Sequence, residues 1–352
     1  MAVVLALGAG LACGCNSTGT RETTTVPGTT TPLALVTYNM YLGADLTTLF
    51  SSALDASQVP AEVARIFGAV QASDPAARAD AMAEQIAAAG ADVVALEEVA
   101  LWRTQSPADG SASPATDVAY DFLALVLDAL ARRGLDYAPL AVQDNVDVEV
   151  AGAFAAGPMD VRLTDRDALL ARAGSPLAAA RTSQSHFTAT LIVPTVAMGA
   201  LSIPRGWIAA DGDVGGRGVR VVATHLESVA PPIRDAQAAE LLAGPTTTSD
   251  VIVTGDFNFA PGSLPYSGFD AAALTDEWTR VADGDAGPTC CQAPDLRNAT
   301  PTLDERIDLV WTRGAIRATA MRRLGADPGD RTASGLWPSD HAGVAATLDI
   351  TP

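Results

Sequence analysis

The chain has 352 residues, 48% of them hydrophobic and 18% charged, with a net charge of −19. Such a chain buries a substantial core, and its acidity excludes a broad, charge-driven nucleic-acid binder, which needs a basic stripe to displace counterions. Lysine is absent, which excludes a P-loop lysine, a Schiff-base lysine and a Ser-Lys dyad.

MAVVLALGAGLACGC opens with a short run of small apolar residues that ends in Cys13 and Cys15. It falls short of the ~20 apolar residues a spanning helix needs and reads as a secretion or lipoprotein signal, although a positive n-region is missing. Residues 1–15 are therefore expected to direct export to a bacterial envelope or beyond, with a lipid on Cys13 or Cys15 as the membrane attachment. Residues 16–32, rich in Thr, Ser, Gly and Pro, read as a flexible linker.

From residue 33 to 352 strand-like and helix-like runs alternate, with no internal repeat and no interior linker, which suggests a single α/β domain acting as a monomer. LALVTYNMYL (33–42) reads as a strand, ARADAMAEQIAAAG (77–90) as a helix stopped by Gly90, and DVVALEEV (92–99) as a buried strand. VAYDFLALVLDALARRG (118–134) reads as a long amphipathic helix. YAPLAVQ, DVRLTD, DALLAR, HFTATLIV and ALSIPRGWIAA read as shorter strands, with Arg162, Asp165, Arg166 and Asp167 in a solvated charged turn. RGVRVVATHLES (217–228) is a strand and PPIRDAQAAELLAG (231–244) a helix. They lead to the strands VIVTGDFN, RIDLVWTR (306–313) and SDHAGVAATLDI (339–350).

Polar residues recur where these apolar runs end. Asn39 follows LVTY, Glu97 and Glu98 follow VVAL, His225 follows VVAT, and Asp256 and Asn258 follow VIVTG. Asp308 lies inside RIDLVW, and Asp340 and His341 precede GVAATL. Any one of these fits a turn, but unpaired carboxylates beside buried strands are costly, and strand ends that converge on one sheet edge form a site. Carboxylates and amides without thiolates suit a hard cation such as Mg²⁺ or Mn²⁺, and histidines can serve as acid, base or phosphate donor.

VTYNMYL, VVALEEV, VATHLES, VTGDFN, LDERIDLVW and SDH, in this order from residue 38 to 341, resemble the endonuclease/exonuclease/phosphatase superfamily. The resemblance implies a four-layer sandwich of two mixed β-sheets packed face to face and flanked by helices. It also implies a divalent-metal-dependent phosphoesterase using Mg²⁺, Mn²⁺ or Ca²⁺, with a nuclease-like phosphodiesterase as the leading expectation. A sphingomyelinase-like lipid hydrolase, an inositol- or sugar-phosphate phosphatase and a catalytically silent binding module are the alternatives. The substrate would accordingly be a nucleic acid, a phospholipid or a small phosphate ester. Asn39, Glu98 and Asp340 match metal positions, His225 and Asn258 match donors to the scissile phosphate, Asp256 matches the acid beside the reacting oxygens, and Asp308 matches the carboxylate that orients His341. Glu97 departs from the Gln usual before the metal glutamate.

The remaining candidates have plainer readings. His186 reads as a partly exposed strand-end residue and Arg205 as packing. Cys290 and Cys291 read as a vicinal disulfide, as two thiols, or as one partner of an intermolecular bond. No long apolar hairpin suited to membrane insertion is evident, which weighs against the lipid reading.

Overall fold

The computed structural model describes residues 29–50, 54–196 and 198–352. The signal-like segment with Cys13 and Cys15, and most of the linker, lie outside them. The first strand begins at Thr31, inside the stretch expected to be linker.

In chain order the first half comprises β1 (Thr31–Asn39), a 3₁₀ turn (Thr47–Phe50), α1 (Val59–Ala72), α2 (Pro75–Ala89), β2 (Val93–Glu97), β3 (Leu101–Gln105), β4 (Asp117–Asp121), α3 (Phe122–Arg132), β5 (Tyr137–Phe154) and β6 (Gly157–Arg172). Then come β7 (Ala178–His186), β8 (Leu191–Thr195), β9 (Gly199–Ile203), β10 (Gly206–Val214) and β11 (Arg217–His225). The last third holds α4 (Pro231–Ala243), β12 (Val251–Asp256), α5 (Leu264–Ala271), β13 (Thr275–Asp276), α6 (Glu277–Val281), β14 (Asp308–Arg313), β15 (Ile316–Leu324) and β16 (Gly343–Ile350).

One sheet has the order β15-β16-β1-β2-β6-β3-β4, with β5 paired to β6; the other runs β13-β14-β12-β11-β10-β7, and β8–β9 form a separate hairpin. Both are mixed sheets, since β1 with β2 and β11 with β12 are parallel among antiparallel neighbours. Side chains alternate faces along a strand, and here the alternation builds the layers. Leu33, Leu35, Val93, Ala95 and Leu169 of the first sheet meet Ile208, Val221, Ile252 and Val310 of the second. The opposite parity (Val36, Tyr38, Val94, Leu96, Leu170) packs on Phe67, Met82, Ile86, Val126 and Leu130 of α1–α3. On the far side Val222, Val251, Val253 and Trp311 pack on Leu241 of α4 and Phe269 of α5. The result is the four-layer sandwich. Each fully buried Leu, Ile or Val side chain contributes about 1.5–3 kcal/mol.

Several expectations are corrected. DVAYD pairs with β3 as strand β4, so α3 starts only at Phe122, where the Asp121 carboxylate accepts the Leu123 and Ala124 amides as an N-cap. Helices α1, α5 and α6 are additional to the expected elements. The supposed charged turn at 162–167 is the middle of the continuous strand β6, where Asp165, Arg166 and Asp167 are buried. β2 stops at Glu97 because Glu98 turns to φ +55°.

Candidate active site

Asn39, Glu97, His225, Asp256 and Asp308 continue the parity of their strands that faces the other sheet. They sit where the apolar filling between the sheets ends, at strand ends held level by register. Asn39 pairs with Glu97, His225 with Asp256, and Asp256 with Asp308. Gly255 makes this alignment feasible, since it has φ +138° and a Cβ there would collide with the Thr224 carbonyl oxygen.

Asp256 is the hub. Its Oδ2 accepts from Asn39 Nδ2 at 3.1 Å and lies 3.5 Å from His225 Nε2 and 3.8 Å from His341 Nε2. Its Oδ1 accepts the Asn258 amide at 2.9 Å, while Asn258 Nδ2 donates to the Leu226 carbonyl at 2.9 Å. Asn258 has φ +51°, so it reaches Asp256 through a turn rather than by extending the strand. His341 Nδ1 lies 2.9 Å from Asp308 Oδ2. Burial opposes a charge on His341, but Asp308 and Asp256 outweigh it and raise its pKa well above the ordinary value.

His225 is held oppositely. Arg205 Nη1 lies 3.0 Å from His225 Nδ1 and 3.0 Å from Asp165 Oδ2. A guanidinium can only donate, so His225 Nδ1 is the acceptor and Nε2 carries the proton that faces Asp256. Burial first, then the Arg205 and His341 charges, depress the pKa of His225 well below its usual value. The sequence reading assigned Arg205 to packing and Asp165 to solvent; both are buried and tied to the site. Asp167 joins them, accepting from Asn145 Nδ2 at 2.9 Å. The signal was the odd-numbered spacing of Asp165, Asp167 and Leu169 on one strand face. Arg78 was missed altogether. It is 1% exposed, and its guanidinium donates to the carbonyls of Ser73, Met40, Tyr41 and Pro338. It thereby clamps the loop after Asn39 to the one before Asp340.

The three expected metal residues are gathered on the same rim. Glu98 and Asp340 line one cavity, and Ser339 Oγ links the two chain segments by donating to the Asn39 carbonyl at 2.6 Å. Glu98 Oε2 accepts the Leu42 amide, and Asn39 Oδ1 accepts the Tyr41 amide. Burial pushes Asp340 up, His341 pulls it back, and Glu98 pushes it up further. Asp308 Oδ1, Glu97 Oε2, Asp165 Oδ1 and Asp167 Oδ1 are buried without a hydrogen-bond partner. The donor set that fits a hard divalent cation is Glu98 and Asp340 in one cavity lining, two carboxylates with the amide of Asn39 on the same rim. Asp256, Asp308 and His341 are also close enough to share an ion, and the 2.9 Å contact of His341 Nδ1 with Asp308 Oδ2 joins them into one hydrogen-bonded set. Glu97 points between the sheets, where burial and then Asp167, Asp308 and Asp256 raise its pKa well above the usual value. Thr37 Oγ1 donates to it at 3.0 Å.

His186 is exposed on the edge strand β7, with Nε2 2.9 Å from the Asp144 carbonyl oxygen, in keeping with its structural reading. Cys290 and Cys291 are paired with each other, and the Cys290 backbone bridges to Glu305 and His341.

Two mixed sheets whose shared rim carries a His-Asp pair, further imidazole and amide donors and several carboxylates define a class, the phosphoester hydrolases of the sandwich type. The chain belongs to the endonuclease/exonuclease/phosphatase family, whose model matches residues 36–341. The fold is shared with an endonuclease/exonuclease/phosphatase of Beutenbergia cavernae DSM 12333 (21% identity, TM-score 0.51, covering 91% of this chain and 72% of that one). A family protein of Bacteroides thetaiotaomicron is similar at 14% identity and TM-score 0.54, with 92% and 99% covered. The mannosyl-6-phosphatase of B. thetaiotaomicron VPI-5482 follows at 14% identity and TM-score 0.51, with 90% and 99% covered. No curated protein sequence matches the chain.

Proposed function

We propose that the chain is a divalent-metal-dependent phosphodiesterase acting at the Asp256 rim. The observation that carries this reading is the convergence of Asn39, His225, His341 and Asn258 on one carboxylate. Glu98 and Asp340, with Asn39 beside them, would hold Mg²⁺, Mn²⁺ or Ca²⁺. Such a cation neutralises phosphate oxygens and the charge that develops on the leaving oxygen. Asp256 orients the attacking water and takes its proton as the new P–O bond forms and the ester P–O bond breaks. The His341 imidazolium, oriented by Asp308, and the Nε2–H of neutral His225 donate to the phosphate oxygens, where negative charge accumulates. Arg205 positions His225 through its 3.0 Å contact with Nδ1.

The test is turnover of bis-p-nitrophenyl phosphate, DNA, RNA, sphingomyelin and inositol phosphates with each cation, with EDTA and His341→Ala as controls. Cation-dependent hydrolysis abolished in the variant is expected; no turnover of any phosphoester would sink the reading. The same proposal includes export and anchoring of a monomer through a lipid on Cys13 or Cys15. Mass spectrometry of the membrane-extracted N-terminus checks this, and an unmodified soluble form beginning after residue 15 refutes the anchor.

A further inference from the structure

A cavity of about 350 Å³ opens directly off the catalytic rim, and its two ends differ in chemistry. Glu98 and Asp340 lie at one end; the rest of the wall is mostly aliphatic. On β6, Leu163 and Asp165 are two residues apart and both line it, so one strand face passes from apolar floor to acidic rim. The roof is the β8–β9 hairpin. Leu191, Leu201 and Ile203 line the cavity, while the alternate residues Ile192 and Ser202 are exposed. The sequence reading has both strands, in the end of HFTATLIV and the start of ALSIPRGWIAA, but not their pairing as a hairpin separate from the two large sheets. Its apolar content is placed over the cleft only by tertiary packing.

An apolar hollow that the fold leaves unfilled forfeits packing. This one includes Glu98 and Asp340 of the rim in its own lining. Large exposed apolar side chains cluster at its mouth, with Ile192 63% and Val196 50% exposed on the hairpin and Val229 62% exposed on the lining itself. Asp45 and Glu227 add negative charge to the walls, which disfavours a second phosphate and therefore a nucleic-acid strand. Branched aliphatic walls beside a phosphate site match a single-phosphate amphiphile.

We propose that this cavity is a substrate subsite for the aliphatic chain of an O-alkyl phosphoester, with its phosphate at the Glu98–Asp340 rim. The inference rests on the phosphodiesterase reading above. Burial of each methylene is worth at most about fourfold in affinity, so selectivity should climb with chain length until the cavity is full.

The test uses the full chain with Mg²⁺ and p-nitrophenyl alkyl phosphates (methyl, butyl, octyl) kept as monomers. The expected result is a rise in kcat/KM of at least tenfold from methyl to octyl. Leu201→Asn should flatten this gradient without altering turnover of the methyl ester. Leu191→Asn, on the neighbouring strand of the hairpin, is the second variant should the first not fold. A flat series in a protein that hydrolyses the methyl ester overturns the subsite and leaves the phosphodiesterase standing. If no ester is hydrolysed, dissolved or in vesicles, the phosphodiesterase falls, and calorimetric binding of octylphosphonate against methylphosphonate then judges the cavity; equal affinities overturn it. Vesicles carrying a long-chain ester identify the source. A gradient among monomers points to a dissolved amphiphile, and Leu201-dependent hydrolysis only on vesicles points to a membrane lipid; both support the subsite.

Discussion

The rim and the cavity beside it share strand faces and differ in what fills them. At the rim, every second position is polar and each group is fixed by a named partner. Asp308 holds His341, Arg205 holds His225, and Asn39 and Asn258 hold Asp256. In the cavity, neighbouring positions are Val and Leu, interchangeable by volume. Hydrogen bonds are directional and an unmet one is costly, whereas apolar contact scales smoothly with area. Substitutions at the rim should therefore act as switches, and those in the cavity as graded changes.

The largest effect expected is that of His341→Ala, a loss of roughly 10²–10⁴ in kcat with KM within a few-fold. Steady-state kinetics on bis-p-nitrophenyl phosphate measures it, and a graded loss of only two- or threefold would erase the contrast drawn here. Next is Arg205→Met. It strands the buried Asp165 carboxylate, and breaking such a pair costs about 3–5 kcal/mol. The urea midpoint should fall accordingly, and Asp165→Asn in the same chain should recover part of the loss. Full stability of the single variant would mean that the pair holds nothing.

Glu97→Gln should do little harm, because burial and the neighbouring carboxylates already disfavour its charge. An acid whose folded pKa is raised loses stability as pH climbs above its unfolded value near 4.5. The variant should therefore be more stable than the parent at pH 8, by about 1 kcal/mol or more, and equal to it at pH 4. Thermal melts at the two pH values decide, and equal melts at both would mean that Glu97 is ionised. The smallest effect lies far from the cleft. Arg220 first, and Arg181 after partial desolvation, pull Asp211 down to about 2. Its stabilisation is complete above the unfolded value near 4 and is lost as pH falls through about 2. Asp211→Asn should lower Tm at pH 7 by about a degree or two and flatten the acid limb.

Most of the rim was legible in one dimension, because the apolar runs and the polar residues that end them are local features. Asn39, His225, Asp256 and Asp308 could be placed by counting along their own strands. Asp165 and Asp167 were harder to place, since the charges gathered at DRD look like a turn until β6 pairs with β5, β3 and β2, and only their odd-numbered spacing with Leu169 hints at a strand face. The start of α3 was misjudged for a related reason, as DVAYD has helical periodicity but finds a strand partner in β3.

The sequence by itself determined which residues would end strands, where the acids and histidines of the rim would fall, and the absence of a basic surface. Alternation and chain breaks act over a few residues, so they can be read without the fold. Only the tertiary structure decided that Arg205 would hold a histidine, that Glu97 would be buried between two sheets among other carboxylates, and that a short apolar hairpin would roof a cavity at the rim. Each of these depends on what a second, distant strand brings to the same place, and pairing across tens of residues leaves no local trace.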